Sequence, residues 1–307
     1  MINITESSFS SYLTYNSNFA NFEYFYANGT IIPSWIESNN TGKLVTWLKL
    51  SQSIPALSNA TIYLGFAGSN NLLSSSGTNG IGEAPQLPCG TTATSACATY
   101  AEYDDGAKVF NDYWNFAGTS TSGFSSTSSC GATTTAVITV DNSLTYNNIV
   151  TGTQESQAAF YTSSAFSGPL MFDTLSKAAY LCNNDFDCSG SGFAPQENIG
   201  TALWITFTIN ASGILKATYN INSGPDINII PTPFNYFSIY SAGGSSTQTL
   251  MQFNYSNTAF TGNALPSSFY LFMAQVGPNG YQMTQWARVR AYPPNGVMPS
   301  VTFGSVS

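Results

Sequence analysis

Near the end of the chain, in WARVRAY, Trp286, Arg288, Arg290 and Tyr292 occupy every second position. Successive side chains of a strand point to opposite faces, so these four share one face while Ala287, Val289 and Ala291 share the other. Two of only seven cationic residues therefore stand beside aromatic rings. Two readings fit. One is a half-exposed face with the arginine stems lying along the rings. The other is a groove that binds carboxylates or sugar.

The surrounding stretches must position this face. SFYLFMAQV meets Pro278-Asn279-Gly280, YQMTQWARVRAY follows and meets Pro294-Asn295-Gly296, and VMPSVTFG runs to Gly304. Asn-Gly tolerates positive φ at both central positions of a tight turn, so each triplet predicts a hairpin. The middle segment is then a long strand with a partner on each side.

Other chemistry is narrower. Histidine is absent, which excludes Ser-His-Asp and Cys-His nucleophilic catalysis. No Gly-x-x-x-x-Gly-Lys loop cradles phosphate. Glu102, Asp104 and Asp105, with Asp112 nearby, could ligate calcium through hard oxygens. They lack the spacing of a calcium loop, and an acidic turn capping a helix accounts for them equally well. Asp185 and Asp187 invite the same two readings. Paired carboxylates could in principle hydrolyse glycosides, but no such pair is marked on a strand. Aromatics at 14% could furnish a sugar-stacking platform, although a large sandwich also needs them in its core. No cofactor is implied beyond the calcium alternative.

Five cysteines suit an oxidising compartment with one left over. Cys89 and Cys97 bracket a Gly/Thr/Ser loop, and Cys182 and Cys188 bracket NNDFD. Both spacings permit local disulfides, with Cys130 odd unless it pairs with Cys97. Acceptor sequons for N-glycosylation occur at Asn3, Asn28, Asn39, Asn59, Asn210 and Asn254, about as many as chance would give in so Asn/Ser/Thr-rich a chain. Asn28 stands out because Asn28-Gly29 predicts a turn tip.

Charged residues make up 7% of the 307 residues, against a typical value of about 25%, while hydrophobic residues make up 43%. A surface this poor in charge fits an acidic exterior, where carboxylates are largely protonated, or a glycan coat. The formal charge of −8 argues against nucleic acid as a partner. No apolar run reaches the ~18 residues of a membrane helix. Met1 is followed by polar INITESS rather than a signal peptide, so an extracellular location implies a leader or anchor outside this chain.

Read in order, the first third is a meander of strands. Phe22, Tyr24 and Tyr26 alternate before the Asn28-Gly29 turn, and IIPSWIE returns. KLVTWLKL sets Leu44, Leu48 and Leu50 on a core face and Lys43, Val45, Trp47 and Lys49 on a wetter one. ATIYLGFA contributes Ile62, Leu64 and Phe66. Met1 to Leu13 forms the first strand of its own sandwich or adds to a neighbour's sheet edge. Two helices are predicted: one capped by Asp105 with Val109, Phe110, Tyr113 and Trp114, and one from Asp173 with Leu175, Ala178, Ala179 and Cys182 on one face. AVITV, AAFYT, LWITFTI, ILKATYNI, TLMQFNY and SFYLFMA read as strands. The fold expected is all-β: an N-terminal β-sandwich over 1–101 and a larger jelly-roll-like, concanavalin-like sandwich over 102–307.

WARVRAYPPNGVMPSVTFG resembles the C-terminal signature of archaeal surface proteins that carry a domain-of-unknown-function module, family 2341. NFANFEYFYANGTIIPSWIES, and IGEAPQLP followed by TYAEYDDGAKVFNDYWNFAGTS, are similar to the same family. The resemblance covers Met1 to about Thr121 and resumes at about Tyr270. It implies surface location and architecture, and it carries no catalytic residues. The leading reading is a non-enzymatic, acid-stable, glycosylated subunit of an archaeal filament or surface layer that self-associates. The alternative is a carbohydrate-binding adhesin module whose partners are surface glycans.

Overall fold

The fold is described from a computed structural model, over residues 1–5, 22–40, 43–66, 106–116, 119–130, 134–140, 144–150, 156–178, 189–194, 203–209, 214–219, 222–228, 235–241, 248–253, 256–261, 267–276, 281–292 and 298–304. Two compact units result, Met1–Trp114 with Pro293–Ser307, and Asn115–Tyr292. The first therefore runs past the expected boundary at residue 101 and recovers the chain's end.

Unit 1 is built from short antiparallel strands. β1 (Ile2–Thr5), β3 (Ser34–Asn40) and β4 (Lys43–Leu48) form a sheet in the order β1-β4-β3, and β2 (Phe22–Phe25) pairs with β5 (Tyr63–Phe66). β1 lies in its own unit, with Ile2 opposite Thr46 and Ile4 opposite Leu44. Ile2, Ile4, Tyr24, Ile32, Ile36 and Leu44 are buried together, and Tyr26, Leu48, Leu50, Ile62, Leu64 and Phe66 pack against them. The alternation read in KLVTWLKL and ATIYLGFA thus sets this core. The other face of β4 is not wet at Trp47, which is 7% exposed. Trp47 and Trp35 sit opposite each other across β3 and β4 and meet the Phe110 ring edge-on.

The helix expected after Asp105 is a single turn, α1 (Gly106–Val109), and Tyr113 and Trp114 belong instead to strand β6 (Asp112–Trp114). The aromatic demand of Trp35 overrides helical continuation. Tyr113 lies 5.6 Å from the Trp35 ring, and it folds back over Gly106 so closely that a Cβ there would meet it at 2.5 Å.

Unit 2 is an all-β, jelly-roll-like sandwich. One antiparallel sheet runs β15 (Asn222–Asn228), β14 (Ile214–Tyr219), β13 (Leu203–Ile209), β12 (Ser189–Ala194), β19 (Tyr270–Val276), β10 (Ser156–Thr162), β7 (Phe124–Cys130). The other runs β18 (Ser256–Thr261), β17 (Gln248–Phe253), β16 (Asn235–Ser241), β11 (Leu170–Ala178), β20 (Tyr281–Arg290), β9 (Leu144–Val150), β8 (Thr134–Val140). Each strand read from the sequence in this part of the chain is found here.

Three expectations fail, the first being that VMPSVTFG pairs with the long strand: residues 298–304 form no strand, and β20 pairs with β11 and β9. The helix predicted from Asp173 is strand β11, flanked by β16 and β20 at the sheet's centre. Leu175 and Ala178 have helical spacing, yet the long-range ladder decides the conformation, as tertiary context often does with β propensity. The hairpin expected at Asn279-Gly280, itself outside the described residues, does not form either, because β19 and β20 belong to different sheets. A turn dipeptide reverses the chain without stating where the returning strand pairs.

Candidate functional site

The residues expected to line a groove on β20 form a closed centre. Ser238 of β16, Asp173 of β11 and Arg288 of β20 lie directly opposite one another, and the next row outward on the same face is Tyr240, Met171 and Arg290. Arg288 Nε donates to Asp173 Oδ2 at 2.8 Å, and Arg290 Nε donates to the same oxygen at 2.7 Å. Ser238 Oγ donates to Asp173 Oδ1. Both guanidiniums also reach Tyr236 Oη, at 3.2 and 3.3 Å. The Arg288 guanidinium stacks 4.7 Å from the Trp286 ring and 5.5 Å from that of Tyr236.

Asp173 and Arg288 have no exposed side-chain surface and Arg290 only 10%, so the face is neither half-exposed nor a groove. Burial pushes the Asp173 carboxyl up, but Arg290 and Arg288 beside it, with hydrogen bonds from Ser238 and Arg288, hold it below the usual carboxylate range. Burial opposes charge on Arg290, yet Asp173 holds its pKa above the ordinary arginine value. The opposite face of these strands, with Phe172, Val289 and Ile239, is buried as well. This constellation locks three strands in register. Tyr292 lies outside the lock, stacked on Tyr240 with ring centroids 3.8 Å apart. Sequence reasoning missed Asp173, whose pairing is set by strands distant in the chain.

Unit 1 offers an open arrangement. Phe25 of β2 lies opposite Tyr63 of β5, and their rings stack at 5.7 Å and 18°. Centroids that far apart at so small an angle mean offset rings, which widen the apolar surface. Gly65, two residues beyond Tyr63, makes room for this: a Cβ there would meet Phe25 Cε1 at 2.8 Å. An aromatic ring laid across a strand glycine covers a backbone that has no side chain of its own. Ile31 bridges to Phe25 from the other side. Tyr63 is 45% exposed and Ile31 39%, among the most exposed large hydrophobic residues described.

Glu23 shares the strand face of Phe25 and pairs with Gly65. It is 6% exposed, and its Oε2 has no hydrogen-bond partner among the described residues. Burial pushes its carboxyl up, with Lys108 of α1 pulling the other way, and the balance stands at about 8. Glu37, also buried, accepts the indole N–H of Trp47. Sequence reasoning missed Phe25 and Tyr63 as a pair because the alternation of Tyr24 and Tyr26 draws attention to the opposite, core face.

Several predicted residues lie outside the described parts: Cys89, Cys97, Cys182, Cys188, Glu102, Asp104, Asp105, Asn210 and Asn254. Cys130 is placed in β7 opposite Ser156. Among the described residues no three of His, Cys, Asp or Glu gather into a metal cluster, and no helix is long and apolar enough to cross a membrane. Asn3, Asn28 and Asn59 are exposed, and Asn39 lies in β3.

No family model matches the chain. It is 26% identical over 304 residues to uncharacterized protein 562 of Sulfolobus islandicus rod-shaped virus 1, an alignment covering 89% of this chain and 50% of that protein. The chain thus spans about half the length of that relative. Among solved structures it is similar to a protein described with gut-microbiota endo-acting O-glycanases (TM-score 0.43, 9% identity, 59% of this chain and 99% of that one). It is also similar to the metal-free lectin I-B4 of Griffonia simplicifolia (0.39, 12%, 55% and 92%). A third likeness is to the metal-free carbohydrate recognition domain of Emp46p (0.39, 8%, 58% and 90%). At these scores the likenesses bear on no function.

Proposed function

We propose that this chain is a non-enzymatic carbohydrate-binding module of an extracellular surface protein. The observation that carries this reading is the Phe25–Tyr63 stack on β2 and β5, with Tyr63 exposed and Phe25 half-buried beneath it. The C–H face of a pyranose packs on an aromatic ring, and a sugar needs few charges to be held. The chain's 7% charged residues suit such a surface. The resemblance to archaeal surface proteins supports the location. Against catalysis stand the absence of histidine and the engagement of Glu37 and Asp173 in bonds to Trp47 and to two arginines.

The filament or surface-layer reading becomes the second. One observation favours it: among the described strands, β15 and β18 stand at the ends of the two sheets of unit 2, each paired on one side. Exposed strand edges are templates for pairing with another copy. The full chain applied to a glycan array at pH 4 tests the first reading. Saturable binding to a defined oligosaccharide class is expected. A blank array, together with ordered polymers under the electron microscope, would replace it with the second.

A further inference from the structure

We propose that Asn28 carries an N-linked glycan whose first sugar packs on the ring of Tyr26, clamping the hairpin on which both stand. The turn is a three-residue loop, Ala27-Asn28-Gly29, closed by Tyr26 and Thr30 and fixed by three hydrogen bonds. Gly29 N–H donates to the Tyr26 carbonyl at 2.8 Å, and Tyr26 N–H donates to the Thr30 carbonyl at 2.9 Å. Thr30 N–H donates to Asn28 Oδ1 at 3.0 Å. Gly29 has φ of 81°, the left-handed residue that lets a type I turn close a three-residue hairpin loop.

That geometry places the three parts of an acceptor together. Tyr26 and Thr30 face each other across the closing pair, and Asn28 lies between them. The Thr30 amide holds Oδ1 and so leaves Nδ2 out of that bond, on a side chain that is exposed. Asn28, Gly29 and Thr30 are all exposed. The Tyr26 ring is half-buried and pinned from behind, its hydroxyl accepting from Ser51 N–H at 2.9 Å and from Ser51 Oγ at 3.3 Å. A ring already immobilised loses little rotamer entropy when a sugar settles on it.

In sequence, no other sequon has an aromatic residue two positions before its acceptor. Two residues before the acceptor the chain has Met1, Glu37, Leu57, Thr208 and Gln252 at Asn3, Asn39, Asn59, Asn210 and Asn254, against Tyr26 at Asn28. Asn3 lies in β1, whose ladder to β4 holds its backbone extended. The reaction needs a lipid-phosphate-linked oligosaccharide as donor. A bond forms from Asn28 Nδ2 to its anomeric carbon, the carbon–oxygen bond to the lipid phosphate breaks with the electron pair leaving on that phosphate, and Nδ2 gives one proton to a base of the transferase. This inference is independent of the sugar-binding reading, because Phe25 and Tyr26 stand on opposite faces of the hairpin.

The test uses the full chain made in a host that N-glycosylates. Glycopeptide mass spectrometry should find Asn28 occupied, and Thr30→Ala, which removes the acceptor but keeps Asn28, should lower the midpoint of thermal unfolding by about 5 °C. Tyr26→Phe keeps the ring and should preserve that difference. In Tyr26→Leu, which keeps apolar bulk without a ring, the difference should shrink to near zero. An unoccupied Asn28, or an undiminished difference in Tyr26→Leu, would overturn the proposal.

Discussion

Glu23 in unit 1 and Asp173 in unit 2 are both buried carboxyls, and they are solved in opposite ways. Asp173 receives two guanidiniums and a serine hydroxyl, stays ionised, and has no exposed side-chain surface. Glu23 has only a coulombic pull from Lys108 to set against its burial, so it holds its proton, and it sits beside a stacked pair of which Tyr63 is exposed. The arginine–aromatic row that looked most like a binding face is thus spent on architecture. The plainer row of Phe25 and Tyr63 is the one left open.

The contrast can be broken most severely at Asp173. Asp173→Ala leaves two buried guanidiniums facing each other and should destabilise unit 2 by about 3–5 kcal/mol, read from urea unfolding. A loss below about 1 kcal/mol would mean that water already reaches the centre. In unit 1 the matching change is Gly65→Ala, whose Cβ would run into the Phe25 ring. Overpacking of this kind costs about 1–3 kcal/mol, and the variant should also lose the offset of the two rings. A neutral substitution would show that Phe25 does not lie across Gly65.

The two carboxyls should also tilt stability against pH in opposite directions. Glu23 has its pKa raised in the folded state from 4.5 to about 8, so the folded protein holds the proton more tightly. Its contribution is complete below about pH 4.5 and is lost as the pH climbs towards about 8. Asp173 has its pKa lowered when folded, so its contribution is present above the ordinary carboxylate value and is lost only as the pH falls through the lower folded one. Thermal melts from pH 3 to pH 9 should show unit 1 weakening between about pH 4.5 and about pH 8, and Glu23→Gln should flatten that slope. A slope unchanged by Glu23→Gln would assign it to another group.

Much of this fold is legible in the chain, and the failures have a common cause. Alternation in KLVTWLKL and ATIYLGFA sets the unit 1 core, and Asn28-Gly29 marks a real turn, because those signals are local. Leu175 and Ala178 mislead towards a helix because β11 takes its conformation from β16 and β20, which a short window does not contain. Asn279-Gly280 misleads because the strands on either side of it, β19 and β20, belong to different sheets. Of the candidate site, Arg288 and Arg290 were visible but their closure was not, since it depends on Asp173 and Tyr236 arriving from distant strands. The Phe25–Tyr63 pair had one local hint, Gly65 standing between Leu64 and Phe66 in a run otherwise suited to a strand.

The two aromatic pairs, Phe25–Tyr63 and Tyr240–Tyr292, differ in which one meets a ligand. Titration of an array-identified oligosaccharide into three proteins decides it: wild type, Tyr63→Ala, and Tyr292→Ala, which removes the ring stacked at the edge of the arginine centre. If Tyr63 holds the sugar, Tyr63→Ala loses at least tenfold in affinity, about 1.4 kcal/mol, and Tyr292→Ala keeps wild-type affinity. Retained affinity in Tyr63→Ala, or its loss in Tyr292→Ala alone, would contradict it.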